Sequence, residues 1–157
     1  MIVILWICFN LDPMPNQTTK NFLQLLTEAV SEAMLVVNKD QIIVSVNTPL
    51  LELFDYTKSD LIGTSLHRLL PKSAREGHQR QVSGFLAQSS ARTMAQGRQL
   101  YGCKRHGDYF PIEVGLKPFS YEGKEYVLGL VRDTSVQLEQ VQRMHDTNVR
   151  LEEMVSE

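Results

Sequence analysis

Two apolar, largely β-branched runs that stand four residues apart place the strongest constraint on the fold of this chain. The first is Met34 to Val37 and the second is Ile42 to Val46, with the polar residues Asn38 to Gln41 between them. Runs of this composition favour strands and a short polar linker favours a tight turn, so the spacing predicts an antiparallel hairpin. A hairpin alone is only marginally stable in water, and other elements must therefore cover it.

Short helices are predicted directly after the hairpin. Thr48-Pro49 suits a helix start, because proline at the first helical position gives up only a donor that has no partner there. Thr57 and Asp60 have the spacing of a capping pair, and Leu66 to Leu70 favours one more turn. These segments are too short for a helical bundle and are interpreted as connectors.

A longer helix is predicted from the capping box Ser73 to Glu76. His78, Val82 and Phe85 follow at helical spacing, which places His78 on the inward, apolar face of this helix.

The remainder of the chain changes to extended runs. Three of them, Thr93 to Tyr101, Tyr109 to Pro118 and Lys124 to Arg132, are separated by turns that contain glycine. They predict three antiparallel strands. The order of two strands, short helices, one longer helix and three strands predicts an α+β fold, in which helices pack on one face of a five-stranded antiparallel sheet.

Two flanking helices are predicted outside the sheet. Residues 18–32 carry an apolar stripe from Phe22 to Val30, which gives an amphipathic helix. Residues 135–157 form a polar helix with a heptad seam at Val141, Met144, Asn148, Leu151 and Val155. An Asn at an a position fixes the register of a parallel two-stranded coil, although two heptads are weak alone. Dimerisation through this seam and packing of the helix on its own domain both stay open.

The first 17 residues stay open to several interpretations. Met1 to Phe9 carries no charge, but it is shorter than the roughly 20 apolar residues of a transmembrane helix and lacks the basic start of a secretory signal. Met14 is an alternative start of the protein. Otherwise the segment is a packed N-terminal strand or the end of a truncated membrane anchor.

Composition excludes some classes of function. The 16 basic and 18 acidic side chains give a net charge of -2, which argues against nucleic acid as a partner. The chain has two cysteines, so a reducing, cytoplasmic setting is favoured over a disulfide scaffold. No hydrolase, metalloprotease, phosphate-binding or dinucleotide motif is present, and no catalytic residue is predicted.

Cys103 and His106 have half the spacing of a zinc site, and no metal site is predicted. His67 and His145 are predicted to face solvent.

Six short motifs occur in a fixed order between residues 33 and 134. They are Met34-Leu35-Val36-Val37, Ile42 to Asn47, Leu51 to Tyr56, Asp60-Leu61-Ile62-Gly63, Gly102 to Val114 and Gly129 to Thr134. In this order they resemble the PAS family, the sensory module of bacterial signalling proteins. Two positions depart from the family pattern, because Asp55 stands where the family usually has Gly and His106 where it usually has Asp. Both residues are compatible with turns.

The resemblance implies a non-catalytic sensory or dimerisation module, with the PAS domain at 33–134. Arg132, Asp133 and Thr134 then form the junction to the helix 135–157, and Asp133 or Thr134 can cap that helix. The resemblance also implies a homodimer that signals to a C-terminal effector domain of the histidine-kinase or cyclic-dinucleotide-cyclase type. A small-molecule ligand fits this interpretation, but the sequence does not identify one.

A narrower resemblance concerns the haem-binding PAS domains of rhizobial oxygen-sensing kinases. These domains carry an axial histidine shortly after a Leu/Met-Pro pair and an arginine on the next strand. His78 follows Leu70-Pro71 and Arg98 occupies the matching strand position, so the resemblance implies haem b with His78 as its axial ligand. The alternative is a core or rim histidine bonded to a backbone carbonyl, with Arg98 at the pocket mouth. A flavin adduct is not expected, because the corresponding segment Leu66 to Leu70 has no cysteine.

Three hypotheses for the function follow. The chain is a regulatory PAS input module, a b-type haem sensor for a diatomic gas, or a structural adaptor that dimerises without a ligand. In the third case, both the Phe22 to Val30 stripe and the C-terminal seam would serve self-association.

Overall fold

A computed structural model describes residues 17–78, 92–94 and 99–156. Its elements in chain order are α1 (Gln17–Glu28), β1 (Ala33–Asn38), β2 (Ile43–Val46), α2 (Thr48–Phe54), α3 (Lys58–Leu61), a 3-10 helix (Leu66–Leu69), the helix α4 at 72–78, β3 (Arg92–Met94), β4 (Leu100–Cys103), β5 (Tyr109–Tyr121), β6 (Lys124–Asp133) and α5 (Ser135–Val155). The predictions for Met1 to Phe9, Met14, Val82, Phe85 and Arg98 lie outside the described residues. No helix within the described ranges is long and apolar enough to cross a membrane.

The strands form one antiparallel sheet in the order β2, β1, β6, β5, with β3 and β4 both beside β5. The predicted hairpin is confirmed, because β1 pairs with β2 across the turn at 39–42. The longest pairing joins β5 to β6, from Ile112 opposite Asp133 to Tyr121 opposite Lys124. The predicted α+β fold, with five neighbouring strand positions and helices against the sheet, is confirmed.

One strand prediction is wrong in detail. The run Thr93 to Tyr101 does not form a single strand, because β3 and β4 pair with β5 in different registers. Met94 lies opposite Val114 and Leu100 lies opposite Ile112. Met94 and Leu100 are six positions apart in the sequence, but the residues opposite them on β5 are only two positions apart. One regular strand cannot keep both pairings.

The main apolar core lies between one face of the sheet and the connecting helices. Alternate residues of β1, β5 and β6 enter it, as expected for strands with one buried face. Phe54 of α2 and Phe110 of β5 meet edge to face, with ring centroids 5.1 Å apart. Strand β4 approaches them through Gly102, where an added Cβ would lie 2.8 Å from a carbon of the Phe54 ring. Glycine is therefore the residue that fits this approach.

The helix starts agree only in part with the sequence signals. The capping box of Thr57 and Asp60 at the start of α3 is confirmed. Helix α2 begins at Thr48 as predicted, but Pro49 is its second residue and the cap is Asn47, whose side chain accepts from the Leu50 amide.

The predicted capping box at Ser73 to Glu76 is wrong. Helix α4 is already helical at 72, so Ser73 lies inside it. The reason is the buried Pro71 immediately before the helix, because the Ala74 amide donates to the Pro71 carbonyl at 3.0 Å and starts the turn there. A proline just before a helix suits this arrangement, since its fixed φ is compatible with a helix start.

The two flanking helices are present and differ in how they are packed. Helix α1 ends at Glu28, before the predicted end at residue 32, and lies against β1 and β2. The Phe22 ring stacks on Tyr121 with centroids 4.8 Å apart, while Leu25 is 72% exposed. In α5, every residue from Val136 to Val155 is exposed. The interpretation that α5 packs on its own domain is therefore wrong.

Candidate functional site

His67 and His78 lie side by side on two successive elements. His67 belongs to the 3-10 helix and His78 to α4, and both are half-buried. Their rings meet edge to face at 83°, with centroids 5.8 Å apart. The prediction that His67 faces solvent is wrong, because the last turn of the 3-10 helix directs it towards α4.

Each of these two rings has a buried nitrogen without a hydrogen-bond partner in the part of the chain that the structure describes. The atoms are Nε2 of His67 and Nδ1 of His78. Burial lowers the pKa of His78 below its usual range, and the neighbouring His67 lowers it further. His78 is therefore a neutral imidazole near pH 7. The alternative interpretation, a core or rim histidine bonded to a backbone carbonyl, stays a prediction; within the described residues Nδ1 makes no such bond.

The other predicted ligand residues are placed as follows. Arg98, the candidate ligand-side residue, lies outside the described residues. His145 is exposed on α5, as predicted. His106 lies in the turn before β5, with Nε2 3.5 Å from the Asp55 carboxylate, and Cys103 contacts the Lys104 carbonyl. Within the described ranges, no group of three His, Cys, Asp or Glu side chains is placed to hold a metal ion.

The predicted junction residues lie where β6 meets α5. Arg132 donates to Glu32 at 2.7 Å and lies 3.9 Å from Glu113, so it joins the segment before β1 to β5. Asp133 accepts from the amide and the hydroxyl of Ser135 at 2.8 and 2.6 Å. Of the two predicted capping residues, Asp133 therefore holds the first turn of α5.

Thr134 has a different environment from Asp133. It occupies the cap position, but its side chain makes no capping hydrogen bond. Its hydroxyl is buried and has no partner in the described parts of the chain, whereas its amide donates to the Pro111 carbonyl at 3.1 Å. The backbone of Thr134 thus ties the start of α5 to β5.

Asn47 is a structural centre that the sequence reasoning did not single out beyond its place in a motif. It is fully buried and accepts from the amides of Met34 and Leu50. Its side-chain nitrogen lies within hydrogen-bond distance of three carbonyls, that of Thr27 in the last turn of α1 and those of Val30 and Glu32 in the segment that follows. The only signal for this role was an Asn that ends a strand and precedes a helix, which is a common cap.

A family model described as the PAS fold matches residues 21–134 of this chain. The chain belongs to the PAS family. PAS domains are generally sensory modules without catalytic activity, and the sheet, helices and C-terminal helix described above are those of such a domain.

Two curated relatives share the sequence of this PAS domain. It is 26% identical over 141 residues to the sensor protein FixL of Bradyrhizobium diazoefficiens. This match covers 90% of this chain and 26% of FixL. It is 29% identical over 119 residues to the oxygen sensor protein DosP of Escherichia coli. This match covers 76% of this chain and 15% of DosP. The chain thus spans about a quarter or less of the length of either relative.

Solved structures share the fold. The PAS domain of an HTR-like protein from Haloarcula marismortui superimposes with a TM-score of 0.60 at 26% identity, covering 74% of this chain and 93% of that one. A LOV protein of Rhodobacter sphaeroides reaches a TM-score of 0.62 at 16% identity, covering 76% of this chain and 68% of that one. The second likeness shows the fold alone.

Proposed function

We propose that this PAS domain is the sensory input module of a signal-transduction protein of the histidine-kinase or cyclic-dinucleotide-cyclase type. It acts as a cytoplasmic homodimer and passes a ligand-dependent or partner-dependent change through α5 to an effector domain. The observation that carries the proposal is the continuous passage from β6 into α5, which leaves the whole apolar seam of α5 exposed. An exposed seam at coiled-coil spacing favours pairing with a second copy of the helix.

The junction offers a physical route for the change. Arg132 contacts Glu32 before β1 and Glu113 on β5, and Asp133 holds the first turn of α5. A displacement of the sheet against the segment between α1 and β1 would thus alter the Arg132 contact at the base of the coil. A ligand can bias two arrangements of the dimer only if it contacts them differently, and such biases are typically about 1–3 kcal/mol.

The oligomeric state tests the proposal. Leu151→Asp places a charge in the seam and is expected to give monomers in light scattering coupled to size exclusion. Val149→Asp is the matched control, because Val149 is an exposed apolar residue of the same helix that lies outside the seam, and it is expected to leave the dimer intact. A Leu151→Asp protein that dimerises like the wild type would contradict pairing through α5. This result would favour dimerisation through the exposed stripe of α1, as in the adaptor hypothesis.

A haem b sensor for a diatomic gas is the second candidate function. The described residues fit this group at one point, because an axial histidine is a neutral imidazole with a free nitrogen and His78 is half-buried, neutral and incompletely bonded. The oxygen-sensor relative DosP supports the same interpretation. When bound, a haem would supply an iron that takes up a diatomic gas. His78 would be its protein ligand.

Haem uptake tests this candidate by absorbance. Wild-type protein titrated with haemin is expected to develop a Soret band that His78→Ala loses, while the control His145→Ala, which removes an exposed histidine, keeps it. Folded wild-type protein that develops no Soret band would exclude the haem function and leave the input-module proposal intact.

A further inference from the structure

The pair of His67 and His78 has a property that the sensory role does not require. Two imidazoles on different elements each keep a buried nitrogen without a hydrogen bond in the described part of the chain. Buried polar atoms without partners are uncommon, because each has given up its hydrogen bonds to water without replacement. We propose that His67 and His78 form a two-histidine binding site for a divalent transition-metal ion of the Zn²⁺ type.

The distance between the rings suits one shared ion. With a metal–nitrogen bond of about 2.1 Å, two imidazoles on one ion place their ring centres about 4.5–6.5 Å apart. The observed centroid separation is 5.8 Å, and the rings meet edge to face instead of stacking. Imidazole suits Zn²⁺, Cu²⁺ and Ni²⁺, and the two unpartnered nitrogens are the atoms that would bind the proposed ion.

Both rings stand on backbone that is fixed by local contacts. The His67 amide donates to the Ser65 hydroxyl at 3.3 Å, and Ser65 bridges to Ile42 beside the hairpin. The Leu70 amide donates to the His67 carbonyl at 3.2 Å, and Nε of Arg75 donates to the Leu70 carbonyl at 3.3 Å, which holds the start of α4 against the 3-10 helix. Ligands on such fixed backbone lose little freedom when they bind an ion.

The nearest cation on the 3-10 helix is engaged elsewhere. Arg68 follows His67 directly, but its guanidinium donates to the Asp60 carbonyl at 2.7 Å and lies over the Tyr56 ring, 5.7 Å from its centroid. Among the described residues no third His, Cys, Asp or Glu joins the two histidines. With two protein ligands from the described residues, the other positions of a four-coordinate ion would be filled by water or by a further ligand.

Calorimetric titration of the chelator-treated chain with Zn²⁺ tests the proposal. We expect one ion per chain, with affinity lowered about tenfold or more in His67→Asn and in His78→Asn, since loss of an outer-shell partner alone costs metal sites 10–100-fold. His106→Ala and His145→Ala are the matched controls, because they remove exposed histidines and should leave the affinity unchanged. Absence of Zn²⁺ binding, or equal affinity in His67→Asn and the wild type, would overturn the proposal.

A second measurement on the wild type covers the case in which a variant fails to fold. Histidine ring ¹H–¹⁵N correlation spectra are expected to shift for His67 and His78 on addition of Zn²⁺ and to stay unchanged for His106 and His145. Shifts confined to His106 or His145 would count against the pair. Failure of the metal proposal can be distinguished from failure of the proposed functions. The haem test measures a Soret band, and the seam test measures the oligomeric state without metal.

Discussion

The Asp55 carboxylate lies 3.5 Å from Nε2 of His106, and both side chains are mainly exposed. Asp55 follows α2 in the left-handed conformation, with φ of 61° and ψ of 41°, which glycine adopts without strain. The contact thus joins a strained helix end to the turn before β5. An exposed pair of this kind contributes only about 0–1 kcal/mol, less than or similar to the backbone strain.

Asp55→Gly is therefore expected to leave the free energy of unfolding unchanged or to raise it by about 0.5 kcal/mol. The left-handed conformation costs a non-glycine residue about 1–2 kcal/mol, which the substitution by glycine removes. The greater freedom of glycine in the unfolded chain cancels about 0.5–1 kcal/mol of this stabilisation. Urea unfolding measures the difference. A double-mutant cycle with His106→Ala separates the two effects, and a coupling well above 1 kcal/mol would show that the contact between Asp55 and His106 outweighs the strain.

Asn47→Ala is expected to destabilise the domain by about 3–5 kcal/mol, because it leaves several buried backbone groups without partners at once. The side chain is fully buried and contacts the amides of Met34 and Leu50 as well as three carbonyls at the end of α1 and in the segment after it. Asn21→Ala is the control, since Asn21 is exposed and its Oδ1 accepts from Gln17 of the same helix. Similar losses in the two variants, measured by urea unfolding, would contradict the central role of Asn47.

Asp60 gives the domain a defined response to acid. The Thr57 hydroxyl, then the Thr57 amide, and to a smaller extent Arg105 and Arg68, hold the pKa of Asp60 below 3.8. A carboxyl whose pKa is lower in the folded state stabilises the fold above its unfolded pKa, and this contribution is lost as pH falls through the folded value. Stability should therefore fall below pH 3.8, and less steeply in Asp60→Asn. Unfolding curves between about pH 2 and pH 5 measure these slopes.

The order of the causes can be checked with the partners of Asp60. Thr57→Ala removes the largest of the contacts that lower the pKa of Asp60, and Arg105→Gln removes a smaller one. The decrease of the free energy of unfolding with falling pH should therefore be less steep in Thr57→Ala than in Arg105→Gln. The opposite order would show that the ion pair with Arg105, 3.1 Å from the carboxylate, governs the titration.

Gly102→Ala should destabilise the domain by about 1–3 kcal/mol, because the added methyl group meets packed aromatic rings. Its Cβ would lie 2.8 Å from the Phe54 ring and 3.0 Å from the Phe110 ring. Gly115→Ala is the matched strand control, since the nearest atom to its added Cβ is the Leu130 Cβ at 4.0 Å. The midpoint of thermal unfolding checks the contrast, and equal midpoints would mean that the two phenylalanines move apart at little cost.

The parts of this molecule that sequence predicts well are those set by neighbours along the chain. The hairpin follows from two β-branched runs and a turn, and the Thr57 and Asp60 cap from a three-residue spacing. The sequence pattern places His78 on a helix, as the structure does. It does not predict the contact of His78 with His67, because the direction of a side chain on a 3-10 turn depends on what packs against it. The carbonyl contacts of Asn47 span 15 to 20 residues, and no local pattern encodes them.

Two of the three junction residues, Asp133 and Thr134, should respond differently to substitution. Asp133→Ala removes the acceptor for Ser135 and is expected to cost about 1 kcal/mol, seen as faster hydrogen exchange in the first turn of α5. Thr134→Val keeps the side-chain shape and removes a buried hydroxyl that has no partner in the described ranges, so stability should stay equal or rise by up to about 1 kcal/mol. Both variants retain the hydrogen bond that the Thr134 amide donates to the Pro111 carbonyl. A large loss in Thr134→Val would instead indicate that its hydroxyl bonds to a group that holds α5 in place.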